Sequence, residues 1–280
     1  MIREIRMPIR TELRTIADLE AGARVIPAGS DLYRQGDTCS SCFILLGGWI
    51  ALSVLLDDGS CQILDFALPG AVLGFQSAVD LPMYHSARCL SVVRVYAFPR
   101  QRLDSIIEAN PRLAILFCRQ VTADEARAHD HLANIGLRDA KQRIAHLLLE
   151  LYVRVRGRIP VEPGETVQLP LSQGQIGQAV GLTYVHVCRT LQILRERGIV
   201  QFANHNLEII DPMALIATAG VEYDPPTPRR TAGQPTLVRP TARPTAPEMA
   251  GSLPVGWMPI QNDCPAPRVF RNAYAPAKAA

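Results

Sequence analysis

Apolar and polar positions in the first hundred residues fall into short runs cut by turn signals at a steady interval. Gly36-Asp37, Gly47-Gly48, Asp58-Gly59 and Pro69-Gly70 stand eleven residues apart. Between them lie "CFILL", "WIALSVLL" and "CQILDFALP", and "SVVRVYAF" at 91–98 closes the series. Glycine and Asp-Gly supply the positive φ that tight reversals need. Short apolar runs at this spacing predict a small all-β sandwich or barrel.

After Pro99 the period changes from two to about 3.6. Asn110-Pro111 reads as a cap with proline at the first helical position. The run "PRLAILFCRQVTADEARAHDHLANIG" then continues for about 25 residues, longer than the usual helix of a small domain. Leu113, Phe117, Val121, Asp124, Ala128, His131 and Ile135 share one stripe. Such a helix serves either as a core element or, as the segments that follow favour, as a seam along a partner helix. Gly136 interrupts the pattern as a candidate hinge, and "LRDAKQRIAHLLLELYVRV" continues as a second helix from 137.

The most informative stretch is "LSQGQIGQAVGLTYVHVCRTLQILRERGIV", residues 171–200. Ser172 and Gln175 form an S-x-x-Q capping box before a short helix with Ile176, Ala179 and Val180 inside. Gly181 permits a tight reversal and Thr183 caps the next helix. At about 100° per residue, Val187, Leu191 and Leu194 gather on one side and Val185, Cys188, Arg189 and Gln192 on the other. An apolar back with a small, polar and cationic front fits a recognition helix in a DNA major groove. Arginine bonds guanine O6 and N7, glutamine reads adenine, and valine packs on a thymine methyl. Ser172, Gln173, Thr183, Tyr184, His186 and Arg195 lie at the flanks, where phosphate contact suits them better. "RGIVQFANHNLEIID" follows as strand, Asn-His-Asn turn and strand, the wing of a winged helix-turn-helix.

Composition refines this picture. The 280 residues carry a net charge of +3 and are 48% hydrophobic, enough for about two domains. Residues 136–200 hold nine Lys/Arg against five Asp/Glu, a moderate basic excess in favour of phosphate contact. Seven dispersed cysteines do not read as a disulfide framework. The N-terminus lacks the apolar core of a signal peptide, and no run reaches the roughly 18 apolar residues of a membrane span. The expectation is a soluble, cytoplasmic protein with no membrane partner. From Val221 proline, alanine, threonine and arginine dominate, predicting a disordered tail over 221–280. An enzyme is not expected. His186 and Cys188 diverge by about 200° on one helix, His85 stands alone, and G-x-S-x-G, H-E-x-x-H and P-loop patterns are absent.

A turn-rich β domain, a long helix and a winged helix-turn-helix in this order resemble the Crp/Fnr family of bacterial transcription regulators. "YRQGD", "GGWIALSVLLDDGSCQILDFALPGAVLGF", "FPRQRLDSI" and the 171–200 segment carry the resemblance, over roughly residues 10–215. It implies an α+β fold: a cyclic-nucleotide-binding-like β-roll over 10–110, a dimerisation helix over 111–135 and a DNA-binding domain over 136–215. It further implies a homodimer on a palindromic promoter site of double-stranded DNA, and an activator that touches RNA polymerase. Many members carry Glu where this chain has Val185, and Ser or Gly at Cys188, so the usual TTGA-type half-site is not carried over; Arg189 is retained.

A cyclic-nucleotide binder of the family carries Gly-Glu after the "PG..LG" segment and Arg-Ser or Arg-Thr beyond. Here Phe75 stands near the glutamate position and His85-Ser86 where Arg-Ser is expected, which argues against a buried cyclic phosphate. Cys39-Ser-Ser-Cys42 is a lone C-x-x-C in β territory and reads as apolar filling, so neither the iron–sulfur cluster of the oxygen-sensing members nor another metal is expected. This places the chain nearest the FixK-like members, with no cofactor. Cys188 beside Arg189 is a redox candidate, since oxidation there would set bulk or negative charge against DNA. The alternative is a regulator of the same fold whose DNA binding requires a small ligand or has been lost.

Overall fold

The computed structural model describes residues 22–75, 81–109 and 111–222, without the side chains of Asp104, Ile106, Ala109 and Leu113. Eight strands come first: β1 (Arg24–Ile26), β2 (Asp31–Tyr33), β3 (Ser41–Gly47), β4 (Ile50–Leu55), β5 (Cys61–Ala67), β6 (Val72–Leu73), β7 (Ser86–Cys89) and β8 (Val93–Pro99). They form two antiparallel four-stranded sheets, ordered β1-β8-β3-β6 and β2-β7-β4-β5. The reversals fall at the regularly spaced turn signals, where Gly36, Gly48, Gly59 and Gly70 all have φ between +81° and +104°. Leu45, Ile50, Leu73, Met83, Val93 and Val95 fill the space between the sheets. β3 is buried on both faces, because Cys42 and Ile44 pack with Val72 and Phe98 on its other side. A continuous "CFILL" is therefore what the position demands, rather than strict alternation. Cys42 is fully buried there, in the filling role expected of it.

A 3-10 turn at Arg100–Arg102 leads into α1 (Leu103–Ala109), α2 (Pro111–Leu137) and α3 (Ala140–Arg156). The remaining elements are β9 (Glu165–Gln168), α4 (Gln173–Val180), α5 (Tyr184–Glu196), β10 (Val200–Ala203), β11 (Asn206–Ile209) and α6 (Pro212–Thr218). β10, β11 and β9 make a three-stranded sheet in that order. The wing turn is carried by Asn204 and His205, with φ of +50° and +61°, the paired left-handed residues of a two-residue hairpin. β9 completes the wing from a segment that local pattern did not single out.

One sequence expectation about α2 is corrected. The helix runs through Gly136, and the break falls at Arg138-Asp139, where Asp139 caps α3 and Gln142 returns the capping-box bond. The hinge is set by that cap, not by the glycine. Of the stripe, Val121, Asp124, Ala128, His131 and Ile135 share one wall of a cavity against β5. Phe117 meets Phe75 edge-on, Gln120 bonds the backbone of Val72, and His131 bonds the carbonyl of Leu64. These side chains turn toward the β-roll. The more outward row, Cys118, Val121, Glu125, Ala128 and Leu132, runs along the open edge of that cavity, with Val121 48% and Leu132 69% exposed. Gln120, Arg127 and His131 find polar partners on β5 and β6, so this side of the helix accepts polar residues. The core continues from Ile63 and Phe66 of β5 into Ile144, Leu148 and Tyr152 of α3 and on to α4, α5 and the wing. The expected tail lies outside the described residues, apart from Val221 and Glu222, as do residues 10–21 of the expected β-roll.

Candidate nucleic-acid interface

The α4–turn–α5 unit forms for local reasons. Ser172 accepts from the Gln175 amide and the Gln175 side chain accepts from the Ser172 amide, closing the capping box. Gly181 ends α4 in the left-handed region at φ +66°. Gly177 allows the close approach: a Cβ there would come within 2.5 Å of the Leu182 carbonyl oxygen. Thr183 then caps α5 by accepting from the His186 amide. Val187, Leu191 and Leu194 are buried beneath α5, each worth about 1.5–3 kcal/mol of burial. This fixes which side of α5 faces outward.

The outward side is the one the sequence singled out. Val185, Arg189 and Gln192 are exposed and Cys188 is half-buried. No ion-pair partner reaches Arg189 among the described residues, while Gln192 Nε2 donates to Glu196 at 2.8 Å. Cys188 Sγ donates to Gln173 Oε1 at 2.7 Å, tying α5 back to the first turn of α4. Tyr184, one turn earlier, has its pKa raised by the hydrogen bond with Cys188. Ser172, Thr183, Tyr184, His186 and Arg195 are exposed around this front and Gln173 is partly so. Sequence reasoning did not find the Gln173–Cys188 bond, since it joins two helices fifteen positions apart.

The basic excess of this region is not all available. Arg138 bonds Asn134, Arg143 bonds the Arg138 and Val180 carbonyls, Arg154 bonds Asp65, Arg156 bonds the Thr166 carbonyl and Arg158 pairs with Glu165. Lys141, Arg189, Arg195 and Arg197 have no such partner among the described residues, and the last three sit on or just after α5. A count of charges cannot separate internal cations from outward ones.

In the β-roll a cavity of about 740 Å3 opens between β5 and α2, with Leu52, Ile63, Phe75, Val121 and Ile135 among its apolar walls. Its polar lining includes Asp65, Tyr84, His85, Asp124, Glu125 and His131. His85 is buried, which pushes its pKa down to about 4 and keeps it neutral.

Residues 142–218 match the Crp-like helix-turn-helix domain and residues 23–110 the cyclic nucleotide-binding domain. The nitrogen fixation regulation protein FixK of Bradyrhizobium diazoefficiens is 31% identical over 214 residues, covering 74% of this chain and 86% of that one. The chain belongs to the Crp/Fnr family. The transcriptional activator protein FnrA of Stutzerimonas stutzeri is 28% identical, covering 76% of this chain and 86% of that protein. The structure of FixK2 from Bradyrhizobium japonicum has a TM-score of 0.63 at 24% identity, covering 72% of this chain and 98% of that one, which shows the shared fold. This Crp/Fnr chain is accordingly a DNA-binding transcription regulator and not an enzyme. No described helix is long and apolar enough to cross a membrane.

The β-roll of this Crp/Fnr regulator does not fit a cyclic nucleotide. A cyclic phosphate would meet the carboxylates of Asp65, Asp124 and Glu125 and a neutral His85. The cationic side chain on the wall, His131, is already bound to Glu150 at 2.8 Å. Among the described residues, nothing in the lining supplies the charge-assisted donors a buried phosphate needs.

Proposed function

We propose that this regulator binds a palindromic promoter site as a homodimer and activates transcription, with the front of α5 reading base edges in successive major grooves. The observation that carries this is the outward face of α5. A 13-residue helix is held by a buried apolar back and presents Val185, Cys188, Arg189 and Gln192 together. Arg189 is assigned to a guanine, and Val185, Cys188 and Gln192 tune neighbouring pairs. Ser172, Gln173, Thr183, Tyr184, His186 and Arg195 are assigned to phosphates, which fix the helix's register in the groove. Activation rests on the relatives' names, and contact with RNA polymerase and a place in the cytoplasm rest on the family resemblance.

The occupant assigned to the outward row of α2 is a second copy of the same helix. Val121 and Leu132 are large apolar side chains left substantially exposed at heptad-like spacing. A 27-residue helix spans about 40 Å, long enough to hold two DNA-binding units side by side. The β-roll cavity supports a second reading, in which binding requires a small effector. Fluorescence anisotropy of the reduced full chain on mixed-sequence duplex separates these. The proposal expects binding without added ligand that weakens by about 10³–10⁵ from roughly 50 to 200 mM salt. Salt-independent or absent binding contradicts it.

A further inference from the structure

A closed cluster of charge lies where β5, α2 and α3 meet. Arg154 of α3 donates from Nη1 to Asp65 of β5 at 2.7 Å and to Glu150 at 3.2 Å, and from Nη2 to the Phe66 carbonyl. Arg127 of α2 donates from Nε to the other oxygen of Asp65 at 3.1 Å and from Nη2 to Asp124. His131 of α2 sets Nε2 2.8 Å from Glu150 and Nδ1 3.0 Å from the Leu64 carbonyl. Both ring nitrogens face acceptors, so the ring is the doubly protonated imidazolium. The formal charges balance: Asp65, Asp124 and Glu150 against Arg127, His131 and Arg154. The Arg154 side chain is only 4% exposed and that of Glu150 7%.

Each of the three elements is bound to the other two. β5 holds α2 through Asp65–Arg127, α2 holds α3 through His131–Glu150, and α3 holds β5 through Arg154–Asp65. Asp65, His131 and Glu150 offer ligand atoms within 4.8 Å of one another, but the Arg154 guanidinium already bonds both carboxylates. The cluster is therefore complete as an ion network and needs no metal. Removing one member of such a network strands its partners as buried charge, so it is either closed or opened to water. α3 packs in one core with α4 and α5, and Gln62 of β5 also bonds the Ala179 carbonyl of α4 at 3.3 Å.

The geometry points to a latch: the Asp65–Arg127–His131–Glu150–Arg154 network fixes the DNA-reading unit against the β-roll and the long helix. Asp65 and His131 also line the β-roll cavity. They are positioning residues: with Arg127, Glu150 and Arg154 they hold α3, and through its core α5, in place without themselves touching DNA. The effect on DNA binding rests on the reading of α5 above; the latch itself does not.

The test is a double-mutant cycle on the full chain, with Asp65→Asn, Arg154→Gln and the pair together, read by DNA affinity and by amide hydrogen exchange. Each single change is expected to weaken DNA binding about fivefold or more, and the double change no further than the worse single. Exchange is expected to accelerate in β5 and α4 while β3 and β8 keep the parent rate. Losses that multiply, or parent-like affinity with parent-like exchange, overturn the latch. A purely structural role would lower the melting temperature and leave the affinity of the folded molecules unmoved. If Arg154→Gln does not fold, His131→Gln, which keeps the Asp65–Arg154 pair, is read in the same way. If the parent does not bind DNA, the exchange pattern alone decides the latch, and the failure belongs to the function reading.

Discussion

Arg189 carries the sharpest expectation at the scale of the residue. Its position was legible because 100° steps along α5 separate front from back, and burial of Val187, Leu191 and Leu194 is what that separation requires. Arg189→Ala should cost about 1–3 kcal/mol of specific binding and relax preference at one base pair per half-site. Anisotropy titrations on specific and scrambled duplexes check this, and an unchanged preference contradicts the assignment. Cys188 was legible as part of the front, but its bond to Gln173 was not, since that depends on how two helices cross. Oxidation of this thiol would break the Gln173 contact and add bulk between helix and groove. DNA binding by Cys188→Ser should therefore resist peroxide treatment that disables the parent. Equal sensitivity of the two proteins would remove Cys188 as the switch.

At the scale of elements, strands bounded by turn signals and helices opened by capping boxes were readable, because both signals are local. β1, β2, β6 and β7 are two to four residues long, too short for a period to register. α2 was legible as a face but its partners were not, because its polar residues bond groups 48 to 67 positions away. Its outward row makes a prediction of its own. If α2 pairs with a second copy as proposed, Leu132→Asp should place like charges against each other across that seam and weaken self-association by about tenfold or more, seen as monomer in sedimentation velocity. A dimer of unchanged strength would mean that another surface pairs. His131 gives α2 a pH dependence. Burial alone would lower its pKa, but Glu150 and Asp65 raise it to about 9. The raised folded value means that its stabilising contribution is complete below about 6.5 and is lost as pH rises through about 9. Melting temperatures of the parent and His131→Gln should differ at pH 6 and converge near pH 10. A difference that persists at pH 10 would show that His131 stabilises by packing rather than charge.

At the scale of the molecule, the order of units was legible, since a turn-spaced β region, a long helix and a capped helix pair differ in period. What local pattern could not reach was how they join. The core passes from Phe66 of β5 directly into Ile144 and Leu148 of α3, and the ion network follows the same path. Inside the reading unit, Gly177 is where α4 and the turn before α5 meet most closely. Gly177→Val should displace α5 from α4 by forcing a side chain onto the Leu182 carbonyl, and should abolish specific binding while the β-roll retains its native exchange pattern. The most direct test of a dimer reading DNA through α5 is a selection from random duplex, with the reduced full chain and no added ligand. Recovery of a two-fold palindrome, with half-sites about one helical turn apart and one conserved base pair lost in Arg189→Ala, is the result expected. Enrichment of a single unpaired half-site, or no enrichment at all, would contradict it.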